Sequence, residues 1–184
     1  ENLGTVPPEV NRSLKRHGVA SMFVVQYAAR PQSRAALPRI PASAVASLNT
    51  HDMPPFAGWW QGLDIEDRCD LRLIKRGNLP REFRLRARTC RALVRRLIHQ
   101  GRLKDGSVDV QFVSRAVTEL LGRSAASWVL LNLEDLWLET APQNTPGTST
   151  ERPNWRRKMR FPLEACQERP DVLSMLDKLR RARR

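Results

Sequence analysis

Apolar residues along this chain follow two periodicities. Three short runs are almost continuously apolar: 22–27 (M-F-V-V-Q-Y), 44–48 (A-V-A-S-L) and 128–133 (W-V-L-L-N-L). Runs of this length without alternation predict strands buried on both faces, as in a parallel sheet. Elsewhere the apolar positions recur every three to four residues. Val10 and Leu14, following Pro7-Pro8 and preceding Gly18, predict a short first helix. Phe83, Ala87, Cys90, Val94 and Leu97, set between Pro80 and Gly101, predict a helix over 81–99. Val108, Phe112, Ala116 and Leu120, shadowed by Val113, Val117 and Leu121, predict another over 107–121, with Gly122 as its stop. Val172, Leu176 and Leu179 predict an amphipathic terminal helix.

Buried strands alternating with helices define an α/β fold with a parallel sheet. Three strands cannot close a barrel, and as an independent domain they would leave long unpaired edges. They are accounted for as the C-terminal portion of a TIM (β/α)8 barrel, incomplete in this chain. A start at Glu1 without an initiator Met leads to the same expectation, that the chain is the back part of something longer. No internal repeat or domain boundary is visible.

Composition narrows the classes. At 184 residues and 41% hydrophobic, the chain is long enough for one domain with a core. No window approaches a membrane-spanning apolar run, and no signal-peptide pattern opens the chain. Cys69, Cys90 and Cys166 are widely spaced and odd in number, which predicts reduced thiols and a cytoplasmic setting. Lys and Arg total 32 against 19 acids, a net charge of +13 that raises nucleic acid as a partner. The basic residues, however, are strung along presumed helix faces with a single Tyr in the chain, so no nucleic-acid partner is expected. P-loop, G-x-G-x-x-G, G-x-S-x-G and H-E-x-x-H patterns are absent, and no metal site is expected.

The candidate chemistry lies where apolar runs give way to loops. Barrel enzymes keep their reactive groups at the C-terminal ends of strands, and Glu1 and Asp52 would project into one such mouth. Retaining glycosyl transfer needs two carboxyl groups about 5–5.5 Å apart, with further acids to steady the cationic sugar. His51 could bond a sugar hydroxyl or a carboxylate. Trp59, in the pair Trp59-Trp60, could stack on a sugar or fill the core. The segment Asn144-Thr145-Pro146-Gly147-Thr148 is a rigid turn rich in hydrogen-bonding groups, suited to sugar recognition or simply a turn.

Four stretches carry a resemblance to a known family: E-N-L-G-T-V-P-P-E-V at 1–10, T-H-D-M-P-P-F-A-G-W-W at 50–60, Glu134-Asp135, and P-Q-N-T-P-G-T-S-T-E-R-P-N-W-R-R-K at 142–158. In order and separation they resemble the amylomaltase, or 4-alpha-glucanotransferase (disproportionating enzyme), family, glycoside hydrolase family 77. The resemblance implies that 1–184 is the C-terminal part of a single catalytic (β/α)8 barrel domain, from about the end of the fifth strand to the final helix. It implies retaining transfer of alpha-1,4-glucan segments between maltooligosaccharides or maltodextrins, without a cofactor or a membrane. By position, Glu1 matches the acid/base of the family's E-D-L-G motif, with Asn2 in place of its Asp. Asp52 matches the acid that stabilises the transition state, and His51 its sugar-contacting neighbour. Asn144 and Gly147 fall on the N-x-P-G loop lining the donor side, and Tyr27 lies, more loosely, where the family has an aromatic strand end near the sugar path. The family's nucleophile, the Asp of an R-x-D-H motif, has no counterpart in these 184 residues, so the remaining part of the barrel is the partner this reading requires. The alternatives are a catalytically inactive fragment with residual glucan binding and a basic nucleic-acid-binding domain.

Overall fold

The computed structural model describes residues 6–32 and 36–183. After a first helix, α1 (Pro8–Arg16), the chain enters β1 (Ser21–Val24) and a single helical turn, α2 (Val25–Ala28). β2 (Ala44–Ser47) leads to two consecutive helices, α3 (Phe56–Gln61) and α4 (Leu63–Asp70). The long α5 (Leu79–His99) and α6 (Val110–Gly122) precede β3 (Trp128–Val129) and a 3-10 turn, Leu133–Trp137. Helices α7 (Leu163–Glu168) and α8 (Pro170–Ala182) follow a long loop. The strands form one parallel sheet in the order β1-β2-β3, each beside its neighbour in sequence.

Partners in a parallel register share a face, which separates the two sides of the sheet. Phe23 pairs with Ala46, Ser21 with Ala44, and Ala46 with Val129. Phe23, Ala44, Ala46 and Leu48 belong to the main hydrophobic core, together with Leu93 and Leu97 of α5 and Val113, Val117 and Leu121 of α6. Small residues at the middle strand let the helices approach closely, and the contact is made by many small dispersion terms. The opposite face carries Met22, Val45, Ser47 and Trp128. It is the more open side, with Trp128 at the surface.

The strands are shorter than the apolar runs predict, and the face away from the helices is only partly covered, with Val24 and Ser47 buried and Trp128 exposed. β1 gives way to α2 after Val24; the Gln26 backbone N–H still donates to Leu48 O (3.2 Å), directly after β2, while its side-chain Nε2 leaves the sheet for Pro54 O (3.0 Å). The third run stops even sooner. Asn132 accepts from the Glu134 backbone N–H (3.1 Å) and caps the 3-10 turn, so L-N-L does not extend the strand.

The helices come out closer to expectation. α5 starts two residues early, with Pro80 in its first turn where no backbone donor is missed. α6 starts late because Asp109 caps it, accepting from the Gln111 N–H at 2.7 Å. Of the two stripes on α6, the face that packs is Val113, Val117 and Leu121, joined by Ala116 and Leu120, whereas Val108 and Phe112 are exposed. In α8, Val172, Met175 and Leu179 are buried and Leu176 is not. α1 forms but buries none of its residues, Val10 and Leu14 included.

α3 and α4 were not legible as separate helices. Gly62 joins them with φ +82°, a left-handed conformation that ends the first helix. A Cβ there would also come within 2.7 Å of Phe83 on α5. Arg86 of α5 then locks this corner. It forms a two-pronged ion pair with Asp64 (2.7 and 2.8 Å), donates to the Trp59 carbonyl and lies 4.6 Å over the Trp59 ring.

Candidate active site

The loop that leaves β2 is built outward from the core. Leu48 is buried, and Asn49 and Thr50 are buried polar residues beneath the tip. Thr50 shapes that tip: its Oγ1 accepts from the Asp52 N–H (3.3 Å), and its carbonyl accepts from the Met53 N–H (3.2 Å). His51 and Asp52 are thereby turned toward solvent, with side chains 57% and 34% exposed and His51 Nε2 3.4 Å from Asp52 Oδ1. Pro55 then starts α3, leaving the Phe56 N–H as an orphan donor at a helix start.

That donor is met by the loop after β3. Asp135 Oδ1 accepts from the Phe56 N–H at 2.6 Å and Asp135 Oδ2 from Asn49 Nδ2 at 2.8 Å. Both oxygens of this buried carboxylate are used, so Asp135 fixes the base of the His51–Asp52 loop at two points. Burial pushes its carboxyl up to about 6, the nearby Glu134 charge adding to the rise and the two N–H donors opposing it. Glu134, also buried, is paired with Arg157 (2.7 Å) and flanked by Gln143 Nε2 (3.3 Å). Arg157 further reaches Ala141 O (2.9 Å) and Glu139 (3.7 Å), stapling the long loop to the strand end.

The loop over 142–158 closes the other side. Thr145-Pro146-Gly147-Thr148 is a tight turn with the Thr148 N–H on Thr145 O (3.3 Å), and Gly147 supplies the φ of +82° that its third position requires. Asn154 knots the turn to the rest of the loop. Its Oδ1 accepts from the Thr145 N–H (3.0 Å), and its Nδ2 donates to Thr148 O (3.0 Å) and Thr148 Oγ1 (2.8 Å). Arg152 anchors the loop on Asp67 of α4. The result brings Asn144 Nδ2 to 2.7 Å from Asp52 Oδ1, a bond across 92 residues of sequence.

Between the strand ends and this loop lies a cleft of about 300 Å³, lined among others by Ser47, Thr50, His51, Glu134, Gln143 and Trp155. Asp52 is not itself among the lining residues; its chain neighbours His51 and Met53 are. A partly exposed carboxylate here, oriented by an imidazole and a neutral amide, can accept hydrogen bonds from hydroxyls and steady a developing positive charge. Among the described residues there is no cluster of three metal-binding side chains. No helix among them is long and apolar enough to cross a membrane.

Of the residues singled out in the sequence, His51, Asp52 and Asn144 are brought together, with Gly147 forming the turn beside them. Glu1 lies outside the described residues. Trp59 does not line the cleft: it is buried against Phe56 with Arg86 over its ring, so no face is open for a sugar. Tyr27 is surface-exposed on the helical turn α2, which follows the C-terminal end of β1 directly, and it is not among the cleft-lining residues. Glu134, Gln143, Arg157 and Trp155 were not singled out individually. Their signal was the long match over 142–158 and the acid pair before it.

A polar cleft formed by loops that follow parallel strands places the chain among α/β proteins whose sites lie at the strands' C-terminal ends. The chain belongs to the 4-alpha-glucanotransferase family, glycoside hydrolase family 77, whose model matches residues 1–164. It is 29% identical over 171 residues to the 4-alpha-glucanotransferase of Haemophilus influenzae, covering 89% of this chain and 24% of that protein. It is 32% identical over 190 residues to the 4-alpha-glucanotransferase of Mycobacterium bovis, covering 99% and 25%. The chain thus spans about a quarter of the length of the curated relatives it matches. Its fold is similar to that of amylomaltase from Corynebacterium glutamicum (TM-score 0.72, 18% identity, 100% of this chain and 28% of that one). It is also similar to amylomaltase from Streptococcus agalactiae in complex with acarbose (TM-score 0.62, 18% identity, 97% and 30%).

Proposed function

We propose that this chain is the C-terminal part of a (β/α)8 catalytic domain that transfers alpha-1,4-glucan segments to an acceptor glucan or glucose by retaining double displacement. The observation that carries the reading is the 2.7 Å bond from Asn144 to Asp52, which joins two separate family motifs beside a cleft that their neighbours His51 and Gln143 line. In this reading Glu1, protonated, gives its proton to the departing glycosidic oxygen while an Asp from the remaining part of the barrel attacks the anomeric carbon. Asp52 supports the oxocarbenium-like charge, held in position by Asn144 and His51. Glu1 then takes the proton from the 4-hydroxyl of the acceptor, whose oxygen displaces the Asp, and the configuration at the anomeric carbon is retained. Three free cysteines suit action in a reducing cytoplasm.

The test is expression of the complete reading frame with maltotriose as substrate. Glucose together with maltotetraose and longer products supports transfer; hydrolysis alone, or no turnover, sinks it. Asp52→Asn is expected to lower transfer by roughly 10²–10³-fold, and Glu1→Gln to remove most of it. Near-normal transfer by either variant would remove that residue from its role. Because these 184 residues contain no R-x-D-H motif, no turnover is expected from them alone.

A further inference from the structure

Trp155 has a placement that folding does not account for. The residue is 61% exposed, so it adds little to the core. Its backbone nevertheless sits at φ +60°, the left-handed region that bulky side chains rarely adopt. The conformation is imposed from both sides. Asn154, immediately before it, is knotted to Thr145 and Thr148, and the Trp155 N–H donates to Gln143 O at 2.8 Å. The loop thereby holds the ring at the cleft, where its centroid lies 5.8 Å from that of His51 at a 41° tilt.

A flat aromatic face with polar groups on either side is a recognisable chemistry. One face of a pyranose ring is made of C–H groups, which settle on an electron-rich ring face, while the hydroxyls at its rim need hydrogen-bond partners. Thr50, His51, Glu134 and Gln143 line the same cleft as the ring and offer such partners. His51 stands between the two groups, its Nε2 3.4 Å from Asp52 Oδ1 and its ring beside that of Trp155, so the aromatic face and the carboxylate flank one imidazole.

We propose that Trp155 is a sugar-stacking platform that binds the glucose residue next to the one held by His51 and Asp52. The proposal rests on the glucanotransferase reading and names a binding residue within it. The experiment uses the complete reading frame, as wild type and as Trp155→Ala and Trp155→Phe, with maltotriose. Initial rates give KM and kcat, and calorimetric titration in an Asp52→Asn background gives affinity without turnover. Trp155→Ala is expected to weaken affinity and raise KM roughly tenfold, with a smaller change in kcat, and Trp155→Phe is expected to recover most of the loss. Maltotriose should also quench the intrinsic fluorescence of the wild type, and that change should disappear in Trp155→Phe. If the wild type transfers glucan but Trp155→Ala binds maltotriose as tightly, with unchanged circular dichroism, the platform is wrong and the transferase reading stands. If the wild type neither binds nor converts maltotriose, both fall together.

Discussion

The helix-covered face of the sheet and the cleft at its strand ends are ordered by different forces. Beneath the helices, Ala44, Ala46, Leu93, Val113 and Val117 are held by close packing of apolar surface, and no single contact dominates. At the cleft, loops from distant parts of the chain are joined by a few directional bonds: Asp135 to Asn49 and Phe56, Arg157 to Glu134, Asn154 to Thr145 and Thr148. The first region should degrade gradually with lost volume, and the second abruptly with each lost partner. The contrast also separates two acids. Asp135 is buried with a donor on each oxygen, whereas Asp52 meets Asn144 and His51 and keeps about a third of its side chain in solvent, so it is Asp52 that can meet a ligand.

The sharpest break in this comparison comes from Arg157→Ala. It leaves the buried Glu134 carboxylate without its cation, and a loss of about 4 kcal/mol is expected in denaturant unfolding. In the packed region, Leu93→Ala should cost about 3 kcal/mol, whereas Leu93→Met, which conserves volume, should cost less than about 1.5 kcal/mol. If Leu93→Met proves as damaging as Leu93→Ala, the packed face depends on shape far more than argued.

Acidity gives a third test. Burial pushes the Asp135 carboxyl up to about 6, so the folded chain holds this proton more tightly than the unfolded chain does. Its favourable contribution is complete below the ordinary carboxylate pKa of about 4 and is lost as pH rises through about 6, a change on the order of 2–3 kcal/mol. Asp135→Asn should flatten the stability profile across that window, as followed by urea midpoints at several pH values. The smallest effect is expected for Gly147→Ala. A Cβ at φ +82° meets open space but a disfavoured backbone, costing about 1 kcal/mol, mostly as loosening of the loop that carries Asn144.

What could be read in advance follows the same division. The periodicity of apolar residues located α5, α6 and α8, because helix formation and burial of one stripe are local consequences of spacing. It missed the phase of α6, where both stripes are apolar and only the cap at Asp109 and the neighbouring helices decide which turns inward. It overextended the strands, since Gln26 and Asn132 read as interruptions only once their partners are known. At the site, Asp52, His51, Asn144 and Gly147 were visible through motif and turn chemistry. The ties made by Asp135, Arg157 and Asn154 were not, because they join residues anywhere from 6 to 86 positions apart and follow no fixed spacing. Trp59 and Trp155 were interchangeable as letters, and the fold buried one and presented the other.

The knot at Asn154 carries a consequence for the lifetime of the protein. Slow hydrolysis of that one amide to a carboxylic acid would replace a donor with an acceptor opposite the Thr148 carbonyl. The sheet and helices make no use of that amide, so this chemical ageing would free the turn at Thr145 and Thr148 and leave the core as it was.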